Sequence, residues 1–211
     1  MGSDMRPSRV LIQALVLVVA GTYLAVYALN GWPTGDLLEP LGAATSAAGL
    51  FILAYDHFLW RLPRVGFLIS KRPDLRGTWR GSLASHWVSP ETQKRIPPDP
   101  EVYMVIRQTY WSVSATLITK ESKSCSTTAV VEDDGCEQYQ LVALYRNTPR
   151  AAVRHRSEVH HGAFKLDIGG RPPNRFEGYY WTDRNTMGEL EFSLRDKKAV
   201  DTFVEAQRLG L

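Results

Sequence analysis

The feature that most restricts this chain is an unbroken apolar stretch of 20 residues, Val10 to Leu29, with no charge and only Gln13 and Thr22 clearly polar. As a helix rising about 1.5 Å per residue, such a stretch spans a hydrocarbon core of roughly 30 Å. A second segment runs from about Leu37 to Trp60 and has an uncharged centre at Leu41–Tyr55. A secretory signal would have a shorter apolar region followed by a small-residue cleavage site. The sequence therefore predicts a retained transmembrane hairpin over residues 1–62, with helices at about 10–29 and 37–60. Arg6 and Arg9 precede it, Arg61, Arg64, Lys71 and Arg72 follow it, and the loop from Asn30 to Pro40 carries no Lys or Arg. Basic residues stay on the cytoplasmic side, so both termini are expected in the cytoplasm.

Two features of the second segment bear on function. Gly42, Ala43, Ala44, Ser46, Ala47, Ala48 and Gly49 give overlapping small-xxx-small spacings, which let helices approach closely in lipid, with Gly42, Ser46, Ala47 and Gly49 as the candidate contact residues. They serve either self-association or packing against the first helix. Asp56 and His57, next to Trp60 and Arg61, are expected in the headgroup layer rather than at membrane depth.

Beyond a Pro-bounded linker at 63–75 the composition changes. Residues 71–211 hold 21 of the 25 Lys/Arg and 18 of the 22 Asp/Glu, so the net charge of +3 resides there. That is too weak a field for general nucleic-acid binding, and no DNA or RNA polymer is expected as a partner. Helical periodicity gives way to short alternating runs near 76–88, 101–109, 112–120, 124–132, 137–147, 157–168, 175–183 and 188–195, most of them separated by Pro, Gly, Asn or Asp turns. Eight sequential strands with mostly short connections suit an antiparallel up-and-down barrel over 76–211, which leaves no exposed sheet edge. A helix is expected over Ala199–Leu209, with Val200, Phe203, Val204 and Leu209 packed on the barrel. Cys125 and Cys136 are too few for a disulfide framework and read as free thiols.

Alternation assigns an inner face, including Leu141, Leu166, Ile168, Phe176, Phe192 and Leu194 toward one end. Odd strands run away from the first strand's start and even strands return. Thr119, Asn147, Thr182 and Arg184 at the ends of odd strands therefore meet Ser124, Ser126 and His160 near the beginnings of even ones. With Tyr145 and Tyr180 as ring platforms, this predicts an apolar floor beneath a polar mouth on the membrane-distal side. Such a cup suits one small ligand with anionic groups and flat rings. There is no P-loop, HExxH or GxSxG motif, so no enzyme activity and no metal are expected.

The ordered motifs LxGxWxG (Leu75–Gly81), IxQ (Ile106–Gln108), TxxSxSxS (Thr119–Ser126), LxxxYxNxP (Leu141–Pro149), HxG (His160–Gly162) and GxYxTxR (Gly178–Arg184), behind a membrane hairpin, resemble the two-transmembrane β-barrel effectors of bacterial CBASS anti-phage defence. Ala143 departs from that pattern, which more often has a larger aromatic there. The resemblance implies an effector of the bacterial inner membrane whose barrel binds a cyclic dinucleotide made by a cognate CD-NTase, without a cofactor. It further implies homo-oligomerisation and membrane disruption that kill the infected cell. It carries the ligand site onto Thr119, Ser124, Ser126, Tyr145, Asn147, His160, Tyr180, Thr182 and Arg184. From the strand pattern alone, the competing reading is a membrane-tethered, lipocalin-like carrier of an apolar molecule.

Overall fold

The computed structural model describes residues 9–29, 38–62, 72–88, 93–95, 97–133 and 138–211. The 30–37 loop, most of the 63–75 linker and Cys136 lie outside them. The chain divides into two compact units, one of residues 1–72 with 109–111 and one of residues 73–108 with 112–211.

In the first unit, α1 (Arg9–Leu29) is followed by α2 (Leu38–His57) and a short 3-10 turn, Leu59–Arg61. Among the described residues α1 is the one helix long and apolar enough to cross a membrane by length and composition. In α2, Gly, Ala, Ser and Thr occupy positions that Leu and Val fill in α1, and Asp56 and His57 close it. The second helix forms, three residues shorter than expected at its end, but with weaker apolar character. Leu11, Tyr55, Trp60 and Tyr110 form a small buried cluster, with the Tyr55 and Tyr110 rings 4.8 Å apart and edge to face. The Asp56 carboxylate accepts the Trp111 N–H at 3.0 Å, and the Asp56 carbonyl accepts that of Tyr110. Asp56 therefore holds a turn in place. On α2, Ala44 is buried, while a Cβ added at Gly42 or Gly49 would meet nothing within 4 Å.

The second unit is a closed antiparallel barrel in sequential order: β1 (Gly77–Ser85), β2 (Asp99–Gln108), β3 (Val113–Ile118), β4 (Ser122–Asp133), β5 (Tyr139–Pro149), β6 (His160–Gly169), β7 (Arg175–Thr182) and β8 (Met187–Asp196). β8 returns to pair with β1, so each strand has two neighbours and no ladder edge is left open. One end is plugged. The rings of Trp79 and Phe176 lie 4.3 Å apart, with Phe192, Leu166, Leu141 and Ile106 buried in the same core; each such side chain contributes about 1.5–3 kcal/mol on burial. The Trp79 indole donates to the Leu75 carbonyl at 2.8 Å. Gln108, the last residue of the IxQ motif, ties in the segment before β1 by accepting the Leu75 N–H and donating to the Pro73 carbonyl.

Two expectations about the core fail for local reasons. The register of β1 on β8 shifts where Arg80 faces Leu194 and Gly81 faces Phe192, which leaves Ser193 as an extra residue. A bulge of this kind reverses which face the following residues present. Leu194 is consequently 49 % exposed, and the Arg195 guanidinium lies 4.9 Å over the Trp79 ring. The C-terminal helix is also shorter than expected. Thr202 and Glu205 form a reciprocal capping box, which starts α3 at Phe203, and the helix runs over Phe203–Gln207. Val200, Phe203 and Ala206 pack on the outer residues Tyr103, Val105 and Ile118, with Leu209 beside them, while Val204 faces solvent.

Candidate functional site

At the end opposite the plug, the barrel holds a cavity of about 440 Å³, within the usual range for small-ligand sites. The ends of β1, β3, β5 and β7 and the beginnings of β4, β6 and β8 surround it. Eight of the nine residues singled out from sequence line it: Thr119, Ser124, Tyr145, Asn147, His160, Tyr180, Thr182 and Arg184. Ser126 does not. β4 carries a bulge between Ser126 and Thr128, and the β3–β4 ladder ends at Thr116 and Cys125. The Ser126 hydroxyl accepts the Ala115 N–H at 3.0 Å, replacing the lost ladder bond.

One wall is a network of hydroxyls. The Asn147 amide donates to Ser124 Oγ at 2.7 Å and to Ser122 Oγ at 3.0 Å. The Ser122 hydroxyl in turn meets that of Thr119 at 3.2 Å. Thr119 Oγ1 also accepts the N–H groups of Glu121 and Ser122 and so braces the β3–β4 turn. Asn147 Oδ1 is buried with no protein partner, which leaves one strong acceptor of this wall unsatisfied.

Two aromatic platforms lie further round. Tyr145 pairs across the ladder with Gly162, and Tyr180 with Gly188. At both glycines an added Cβ would run into the facing phenol ring, so the absence of a side chain lets each ring lie against the barrel wall. The Tyr145 ring stacks at 26° on Phe164, with centroids 6.0 Å apart. Burial pushes both phenols above their ordinary pKa, so they act as neutral hydroxyls.

The charged groups sit at the rim. Thr182 Oγ1 accepts the N–H groups of Arg184 and Thr186, and Asn185 takes a left-handed φ of 58°. This tight β7–β8 turn places Arg184 beside the cavity, where its Nη1 donates to Ser157 Oγ at 3.4 Å. Arg156 also lines the cavity and is ion-paired with Glu121. His160 Nδ1–H donates to the Glu158 carbonyl at 3.0 Å, which leaves Nε2 as an acceptor. Burial holds the His160 imidazole below the ordinary histidine range, and the Arg184 charge adds to that effect.

Sequence reasoning missed Glu121, Arg156, Ser157 and Thr186, which lie in turns and connections where alternation assigns no face. Ser122 was accessible to it, since it shares the face of Ser124 two residues away.

A barrel plugged at one end and opening at the other onto a cup of hydroxyls, two phenol rings and two guanidinium groups defines a receptor domain for one small polar ligand. Residues 70–194 match the family described as Cap15, cyclic dinucleotide receptor domain, and the chain belongs to that family. It is also similar to CD-NTase-associated protein 15 of Yersinia aleksiciae, at 28 % identity over 182 residues that cover 85 % of this chain and 82 % of that protein. The order of motifs pointed to this same family.

Proposed function

We propose that this protein is a membrane effector of CBASS anti-phage defence whose cavity binds a cyclic dinucleotide, and that binding drives self-association and disruption of the bacterial inner membrane. The observation that carries the reading is the pairing of two rim guanidiniums, Arg184 and Arg156, with two glycine-seated phenol rings, Tyr145 and Tyr180. A cyclic dinucleotide offers two phosphodiesters and two flat bases, and charge-assisted hydrogen bonds with ring stacking are what those groups require. The unsatisfied Asn147 Oδ1 suits a base N–H. A lipocalin-like carrier would have no use for charged groups at the rim.

In this reading α1 and α2 both cross the membrane and both termini are cytoplasmic. Gly42, Ser46 and Gly49, exposed together on one face of α2, then meet the same face of other copies, in keeping with the open space around Gly42 and Gly49, while Ala47 is half-buried roughly a third of a turn away. The family is one of receptors, and the site binds without catalysis. The test is calorimetry of the full chain in detergent micelles against a panel of cyclic dinucleotides, followed by sedimentation with the best of them. Binding of one member with a rise in assembly size is expected. Uptake of fatty acids or retinoids with no cyclic dinucleotide bound would replace this reading with the carrier.

A further inference from the structure

Among the described residues that line the cavity, two carry a guanidinium, Arg184 and Arg156, and one carries a carboxylate, Glu121. An anion site gains nothing from a carboxylate of its own, yet the fold fixes this residue at the mouth. The Glu121 N–H donates to Thr119 Oγ1 at 3.2 Å, and the Glu121 carbonyl accepts the Arg150 N–H at 2.8 Å. Both anchors are backbone groups, so the β3–β4 turn holds Glu121 in place whatever its side chain pairs with.

The partner comes from the connection between β5 and β6. There a 3-10 turn at Ala151–Val153 leads to Arg156, whose N–H donates to the Val153 carbonyl at 3.1 Å and whose Nη2 donates to Glu121 Oε1 at 2.5 Å. The two guanidiniums of the rim therefore differ. Arg184 donates to a neutral hydroxyl, Ser157 Oγ at 3.4 Å, whereas Arg156 is neutralised by a carboxylate. Asp183, next to Arg184 in sequence, is engaged elsewhere: its Oδ2 accepts the His161 N–H at 3.0 Å and faces the His161 imidazole at 3.6 Å.

The Arg156–Glu121 pair is half exposed, at 55 % and 52 % of the two side chains. Exposed pairs are weak, because water screens them and two long side chains must be held in one geometry. A phosphodiester offers the planar guanidinium fork two anionic oxygens at once, a stronger and more directional partner. Exchange of the carboxylate for a ligand phosphate is thus favourable, but it takes place against the Glu121 charge.

We infer that Glu121 is a built-in competitor of the ligand, which holds Arg156 until a phosphodiester takes its place. The inference rests on the cyclic dinucleotide reading above and adds its regulation: the carboxylate lowers affinity and so raises the ligand concentration at which the cavity fills.

The test is Glu121→Gln, which keeps the length and polarity of the side chain and removes its charge. Calorimetry of the full chain in micelles with cyclic di-GMP, cyclic di-AMP and the mixed pyrimidine–purine forms should show binding about two- to fivefold tighter than that of the wild type, the contribution of an exposed ion pair. Arg156→Ala should weaken binding, and in that background Glu121→Gln should lose most of its effect, because no guanidinium is left to withhold. A Glu121→Gln chain that binds no tighter than the wild type would overturn the inference and leave the cyclic dinucleotide reading standing. Weaker binding with a lowered melting temperature would make the pair a clip for the β5–β6 connection and overturn it likewise. An equal gain with and without Arg156 would also overturn it, since the carboxylate would then act on the ligand by repulsion alone. No binding of any dinucleotide by either chain would overturn both readings.

Discussion

The phenol ring of Tyr145 on β5 lies against Gly162, its cross-strand neighbour on β6, where a Cβ would stand 2.5 Å from the phenolic oxygen and 2.6 Å from the carbon that bears it. Tyr180 and Gly188 repeat the arrangement, with a Cβ at Gly188 only 2.7 Å from the Tyr180 ring. The glycines of the cavity end are therefore part of the site, although they bring no chemistry of their own.

Gly162→Ala should displace Tyr145 and weaken dinucleotide binding, and, because the new Cβ also meets the Trp181 carbonyl of β7 at 2.5 Å, should carry an overpacking cost of about 1–3 kcal/mol in stability. Urea denaturation and calorimetry on the same variant separate the two effects. An unchanged affinity would show that the Tyr145 position does not matter to the ligand.

Arg184→Ala should weaken binding by about 1.5–3 kcal/mol, the range for a hydrogen bond to a charged group. Because Arg184 is exposed at a turn, its loss should leave the melting temperature nearly unchanged. Calorimetry at two salt concentrations checks the claim, since removing a phosphate contact also reduces the salt dependence.

Ser124 and Ser126 share a strand face but differ in what their hydroxyls do. Ser126→Ala orphans the Ala115 N–H and should cost about 1–3 kcal/mol of stability with little change in affinity. Ser124→Ala removes an acceptor of the Asn147 amide and should lower affinity more than stability. Equal effects of both variants on binding would contradict this division.

His160 makes stability depend on pH. Its imidazole is held below the ordinary range by burial and by Arg184, against the opposing pull of the Glu158 carbonyl and Asp183. The unfolded chain takes up this proton near pH 6.5 and the folded chain only at lower pH. Between those values the unfolded state binds more protons, so stability falls as pH drops below about 6.5 and levels off once the folded imidazole is also protonated. His160→Gln should show a smaller loss between about pH 7.5 and about pH 5 in urea titrations.

Much of the barrel was legible because its strands alternate. Inner residues from Ile106 and Leu141 to Phe192 fall where a period of two places them, and the meeting of strand ends at one mouth follows from antiparallel order. The failure at Leu194 arises at a bulge, where one extra residue breaks the period and no local composition announces it, whereas Ser126 keeps its face and is lost to the site because its hydroxyl is engaged by the Ala115 N–H. Val204 failed because a capping box, not helical propensity, fixed where α3 begins.

The apolar length of Val10–Leu29, the eight strands and the polar set at one end were determined by the sequence itself, since each is written in residues close together along the chain. Only the tertiary structure decided that Arg156 and Glu121 pair at the rim, that Ser126 mends a ladder, and that glycines seat the two rings. Those relations join residues brought together by barrel closure and by turns with no period of their own, and nothing in local spacing encodes them.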